Sequence, residues 1–187
     1  MSNNSSKVKK PTWRDVKQHL TNFDRAALLG LVQDLYQANK DNRVFLHARF
    51  NLVGDNLQPY KVIIERWVFP DVMRNQPISI AKAKKAISDY KKAVGSLEGI
   101  AELSVFYCES CMNFLDTCGM DDESYFDALV RMMEQAIKSL RQLPIEQQAP
   151  FIGRLDNIRH RSSRYGYGVE EDIEMLMEEY HLIDTLE

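Results

Sequence analysis

Apolar side chains recur along this chain at intervals of three and four residues, the spacing that lines up one face of an α-helix. Leu28, Leu31, Val32 and Leu35 form one such stripe; Ala83, Ile87, Tyr90 and Val94 form another. Alternating runs of β-branched residues, the mark of a half-buried strand, are absent, and Val62-Ile63-Ile64 lies inside a helical pattern. Glycine and proline, 8 and 6 of 187 residues, fall mostly where the stripes end. The pattern predicts an all-α fold: a compact bundle of about nine helices, built as helical hairpins around a central apolar helix.

The punctuation places the elements. Thr12 with Asp15 predicts a capping box opening a first helix that ends near Leu20. Asn22 or Asp24 caps the second, and Asn39, Asp41 and Asn42 break it from a third carrying Phe45, Ala48, Phe50 and Leu52. The fourth carries Tyr60, Ile63, Ile64, Trp67 and Val68, and stops at Pro70 or at Pro77. Ser79 caps the fifth. The sixth, Leu97 to Cys118, is apolar nearly all round and belongs at the centre of a bundle rather than in a solenoid. Asp121 or Asp122 opens a seventh with Phe126, Leu129, Met133, Ile137 and Leu140. Helical signal is weak between Pro144 and Pro150, so the eighth is expected from Phe151 through Ile158, and an acidic ninth follows Gly168. Residues 1–11 read as a disordered tail and 12–187 as one helical domain.

Composition narrows the class. At 44% hydrophobic and 27% charged residues, a chain of 187 can bury a core without disulfides or metals. A net charge of −3 argues against a general nucleic-acid coat and leaves room for a local basic patch. No apolar run reaches 18 residues, so no membrane span is expected, and the polar start lacks the apolar core of a secretory signal. The three cysteines lie between residues 108 and 118, unlike a secreted disulfide framework. These features place the protein in the cytoplasm.

Catalytic signatures are thin. Cys108, Cys111 and Cys118 supply three thiols where a zinc site wants four ligands, and they sit mid-helix, away from a dipole that would activate them. The ordinary reading is small buried core residues. Glu178-Glu179-Tyr180-His181 offers one ExxH where a di-iron bundle repeats it. HExxH, GxSxG and phosphate-loop patterns are absent. No catalytic residue, metal or cofactor is assigned, which tilts the reading away from an enzyme.

Binding surfaces are more legible. On the fifth helix Lys82, Lys85 and Lys92 share one face, and Lys84 and Lys91 a neighbouring one. Arg154, Arg159, His160, Arg161 and Arg164 form a second basic cluster, with Tyr165 and Tyr167 beside it. Glu170, Glu171, Asp172, Glu174, Glu178 and Glu179 are counter-charges that would reduce both clusters to solvated faces. Tyr165-Gly166-Tyr167-Gly168 predicts a tight turn with positive φ, close to another backbone. Lys82, Lys84, Lys85, Arg161, Arg164, Tyr165, Tyr167 and Asp172 are therefore the candidate binding residues. Exposed Trp13 or Phe50 would mark a homodimer surface.

The strings Val16-Lys-Gln-His-Leu20, Leu28-Leu-Gly-Leu-Val-Gln-Asp-Leu-Tyr36, Ile80-Ala-Lys-Ala-Lys-Lys-Ala-Ile-Ser-Asp-Tyr-Lys-Lys92 and Gly166-Tyr-Gly168, with Asp172 and Tyr180, carry a resemblance. Together they resemble a family of small bacterial proteins known only as a domain of unknown function. The resemblance implies a helical fold and no activity, cofactor or catalytic residue. The leading expectation is a non-enzymatic helical scaffold or adaptor that binds another protein, or a second copy of itself. The alternative is a nucleic-acid-binding module using the basic helix 82–92 and the Arg154 to Arg164 cluster.

Overall fold

A computed structural model describes residues 10–182. The expected tail lies, for residues 1–9, outside them. The described residues form nine α-helices and no strand, as the apolar spacing requires. They group into two compact units that divide between Val44 and Phe45.

The first unit holds α1 (Trp13–Leu20), α2 (Arg25–Ala38) and the start of α3 (Lys40–Arg49). The Thr12 backbone N–H and hydroxyl both donate to the Asp15 carboxylate, at 2.7 and 2.8 Å. Asp24, not Asn22, caps α2, accepting the Ala27 N–H at 2.7 Å. Neither α1 nor α2 has a buried residue.

The second unit is ordered around α6 (Leu97–Cys118), which packs against α4 (Gln58–Val68), α5 (Ile80–Ala93), α7 (Glu123–Leu140) and α8 (Ile145–Ser162). Thirteen of its residues are buried, over all of its circumference but one stripe, Glu98, Glu102, Phe106, Glu109, Asn113 and Asp116, that stays partly or fully exposed. Two of them are serines. Ser104 and Ser110 each donate to the carbonyl four residues back, at 2.8 Å, so neither hydroxyl enters the core unpaired. α9 (Val169–Glu179) lies on α7 and α8. Ser79 and Ser96 cap α5 and α6, and Asp122 rather than Asp121 caps α7.

Two boundaries differ from the sequence expectation, and a third is decided between its two alternatives. α3 ends at Arg49, because Asn51 turns into the left-handed region at φ 52°, leaving Phe50 and Leu52 outside the helix and exposed. Pro70 ends α4, and the 3₁₀ turn Val72–Arg74 follows before Ser79. α8 begins at Ile145 and carries Pro150 inside it. That proline forfeits one backbone bond near the helix start, and burial of Phe151, Ile152, Leu155 and Ile158 beyond it outweighs the loss. No helix among the described residues is long and apolar enough to cross a membrane.

Candidate binding groove

α5 and α7 both pack on α6, and between them a groove of about 570 Å³ stays open. Its floor is apolar: Ile87 from α5, Leu97 and Ile100 from the first turn of α6, and Met132 from α7. Its α5 wall follows from helical spacing, since Lys84, Ser88 and Lys91 succeed one another at i, i+4 and i+7 and so share a face. The opposite wall carries Gln135 and Lys138, one face of α7, and Gln142 just beyond the end of that helix. Lys138 pairs with Glu134 one turn back on its own helix. No carboxylate lines the groove, and neither Lys84 nor Lys91 has an ion-pair partner among the described residues. An open cleft with an apolar base and ammonium groups on both walls attracts an anionic, partly apolar ligand.

The other candidate residues have different surroundings. The Lys82 ammonium stands over the Trp67 ring, 3.9 Å from its centroid, with the Arg66 guanidinium 4.5 Å from the same centroid. Lys85 pairs with Asp89 on its own helix. Arg161 clamps Asp116 through Nε and Nη2, at 3.0 and 2.6 Å, and donates to Asn113 at 2.9 Å. Arg164 reaches the same carboxylate at 3.8 Å, and the Tyr165 hydroxyl donates to it. Burial pushes the Asp116 carboxyl up, but Tyr165 and the two arginines outweigh it and hold the group below its ordinary value. The Tyr167 hydroxyl donates to Asp121, and its ring stacks on Phe126 at 5.2 Å. Asp172 is exposed in the first turn of α9 beside Glu170 and Glu171, where carboxylates oppose the helix dipole.

The candidate residues thus fall into two sets. Lys82, Lys84 and Lys85 ride on α5, which packs on α4 and α6. Arg161, Arg164 and Tyr165 converge on Asp116 at the end of α6, and Tyr167 latches on the Asp121 loop next to it. This second set is a latch tying the chain after α8 to the α6–α7 connection. The turn has positive φ at Tyr167 and Gly168, at 64° and 69°. The expected close approach to another backbone is not seen: a Cβ added at Gly166 or Gly168 meets nothing within 4 Å. Glutamates of α9 reach only part of the basic cluster, with Glu174 3.5 Å from Arg159.

Arg154 belongs to neither surface. Its guanidinium is turned inward between Glu109, at 2.7 Å from both Nε and Nη2, and Glu102, which also takes Lys61 at 2.5 Å. Of the cysteines, Cys108 and Cys111 are buried and Cys118 is exposed, so the core reading fails for Cys118. Burial raises both inner thiols, Cys111 to about 12, which keeps them protonated at neutral pH. Among the described residues no three His, Cys, Asp or Glu side chains gather as metal ligands would. Sequence reasoning placed Lys84 and Lys91 on one face but missed Gln135, Lys138 and the α6 floor, because nothing local says that α7 stands opposite α5. No protein-family model, no curated protein and no solved structure matches the chain.

Proposed function

We propose that the protein is a non-enzymatic helical adaptor or scaffold that holds a segment of another protein in the groove between α5 and α7. The observation that carries this reading is the groove itself: an apolar floor between two helices, with polar groups on both walls and Lys84 and Lys91 uncommitted on one of them. That is the physical form of helix-in-groove recognition, in which side chains of one face of a peptide fill the cleft. The chemistry legible elsewhere is committed inside the fold, with Arg154, Arg161 and Tyr165 bonded to carboxylates of α6. The same commitments weigh against the nucleic-acid reading, which needs the Arg154 to Arg164 cluster free to meet phosphates.

Position-specific photocrosslinking tests the proposal. A benzoylphenylalanine placed at Ser88, an exposed position on the groove wall, is expected to capture a discrete protein from extract of the source cells. The same residue at exposed Gly153 on α8 should not. Equal labelling from both positions, or none from Ser88, would count against an adaptor groove.

A further inference from the structure

The charge on the groove walls identifies the class of segment that it accepts. We infer that the occupant is an acidic amphipathic helix of a partner protein, with carboxylates about seven residues apart flanking an aliphatic stripe. The inference rests on the adaptor reading above.

Three observations carry it. First, the cations are arranged rather than scattered. Lys84 and Lys91 are seven residues apart on one helix face, so their Cα atoms are about 10 Å apart along the axis, two turns of helix. A partner helix lying along α5 presents side chains at i and i+7 with the same separation. Second, the wall charge is unbalanced. Lys138 faces these lysines from α7 but is paired with Glu134 on its own helix, and no Asp or Glu lines the groove to neutralise Lys84 and Lys91. The neighbouring face of the same helix differs, since Lys85 has Asp89 and Lys82 has the Trp67 ring. Ammonium groups converging on a cleft repel one another and gain from a shared anionic ligand. Third, the floor between the lysines is aliphatic and thioether, from Ile87, Leu97, Ile100 and Met132, and it includes no aromatic ring. Single-stranded nucleic acid binds by stacking its bases on aromatic side chains, and this cleft supplies none. Leucine or isoleucine side chains fit such a floor, and methionine adapts to their shape. The volume is within the range of about 300–1,000 Å³ found for compact ligand clefts, enough for one face of a helix and too small for a folded domain.

A selection experiment on the full chain tests the class without naming the partner in advance. The probe is a displayed library of random peptides of about 16 residues, roughly four helical turns. It is selected in parallel on the native protein, on a Lys84→Glu/Lys91→Glu variant and on a Lys82→Glu/Lys85→Glu variant. Both variants alter solvent-accessible positions and reverse the same charge, so the second controls for net charge; circular dichroism confirms that each is folded. The expected result is enrichment of peptides combining Asp or Glu at helical spacing with Leu or Ile between them. Their affinity should fall by about tenfold or more on Lys84→Glu/Lys91→Glu, by much less on the control pair, and should drop with added salt. Enriched peptides without acidic residues, still lost when Gln135→Trp fills the groove, would overturn the acidic inference and leave the adaptor reading standing. Absence of any enrichment that depends on the groove variants would overturn both. A short RNA oligonucleotide that displaces the selected peptides and shows the same lysine dependence would overturn the inference in favour of nucleic acid.

Discussion

Gly99 sits on the inner face of α6, where a Cβ would stand 2.0 Å from the Tyr90 hydroxyl and 2.5 Å from the ring carbon that bears it. Tyr90 is 3% exposed and meets Tyr60 edge-to-face at 5.3 Å between centroids, so its ring cannot step aside. Gly99→Ala is therefore expected to destabilise the protein by about 1–3 kcal/mol, despite adding a helix-favouring residue. Part of that loss should be recovered in a Tyr90→Leu background. Gly153, exposed in α8 with no atom within 4 Å of an added Cβ, should respond oppositely. There Gly153→Ala should gain about 0.5–1 kcal/mol from helix propensity alone. Thermal unfolding of the two variants checks the pair, and shifts of the same sign would refute the packing account. Nothing in the sequence separates these two helical glycines. The difference lies in a ring contributed from the other side of a chain reversal.

At the scale of elements, α6 is tied to α4 and α8 by the chain Lys61, Glu102, Arg154, Glu109. The two glutamates are seven residues apart and so share one face of an otherwise apolar helix, a spacing visible in the sequence. Their partner was not visible, because Arg154 lies about 50 residues away in a run that reads as a basic surface patch. Burial pushes the Glu102 carboxyl up, but Arg154 and Lys61 more than offset it and hold it below its ordinary value of 4.5. A carboxyl lowered in the folded state stabilises the fold at pH above its unfolded value. That contribution is lost as pH falls through the lowered folded value. Unfolding temperature should thus fall between about pH 5 and pH 3, and fall less in Glu102→Gln, whose side chain does not titrate. At neutral pH the variant should be less stable by about 1–2 kcal/mol, reflecting a pair only partly shielded from solvent. Parallel acid limbs in the two proteins would remove Glu102 from the account.

At the scale of the whole molecule, the buried apolar side chains are unevenly distributed. Among the described residues they begin at Ala48, and α1 and α2 contribute none. A chain lacking residues 1–39 is expected to unfold cooperatively, with Tm within about 5 °C of the full chain, a difference worth roughly 1–2 kcal/mol. Calorimetry together with near-ultraviolet circular dichroism decides it, and a truncated chain without a cooperative transition would show that the first unit is needed for the core. The sequence carries no sign of this division. Its boundary falls inside α3, between Val44 and Phe45, with no glycine or proline to mark it, and the Leu28 to Leu35 stripe has the same form as stripes that are buried.

The sequence by itself determined the helical class, the order of nine elements and the central place of α6. Those properties depend on spacing and capping within a few residues, and local patterns encode them directly. It also put Lys84 and Lys91 on one helix face. Only the tertiary structure decided which charges are spent and which are open. Arg161 and Arg154 read like Lys91 along the chain, yet they meet carboxylates of α6 while Lys91 faces the groove. An ion pair between helices depends on which faces meet, and that is fixed by packing of the apolar stripes together, not by the spacing within any one of them.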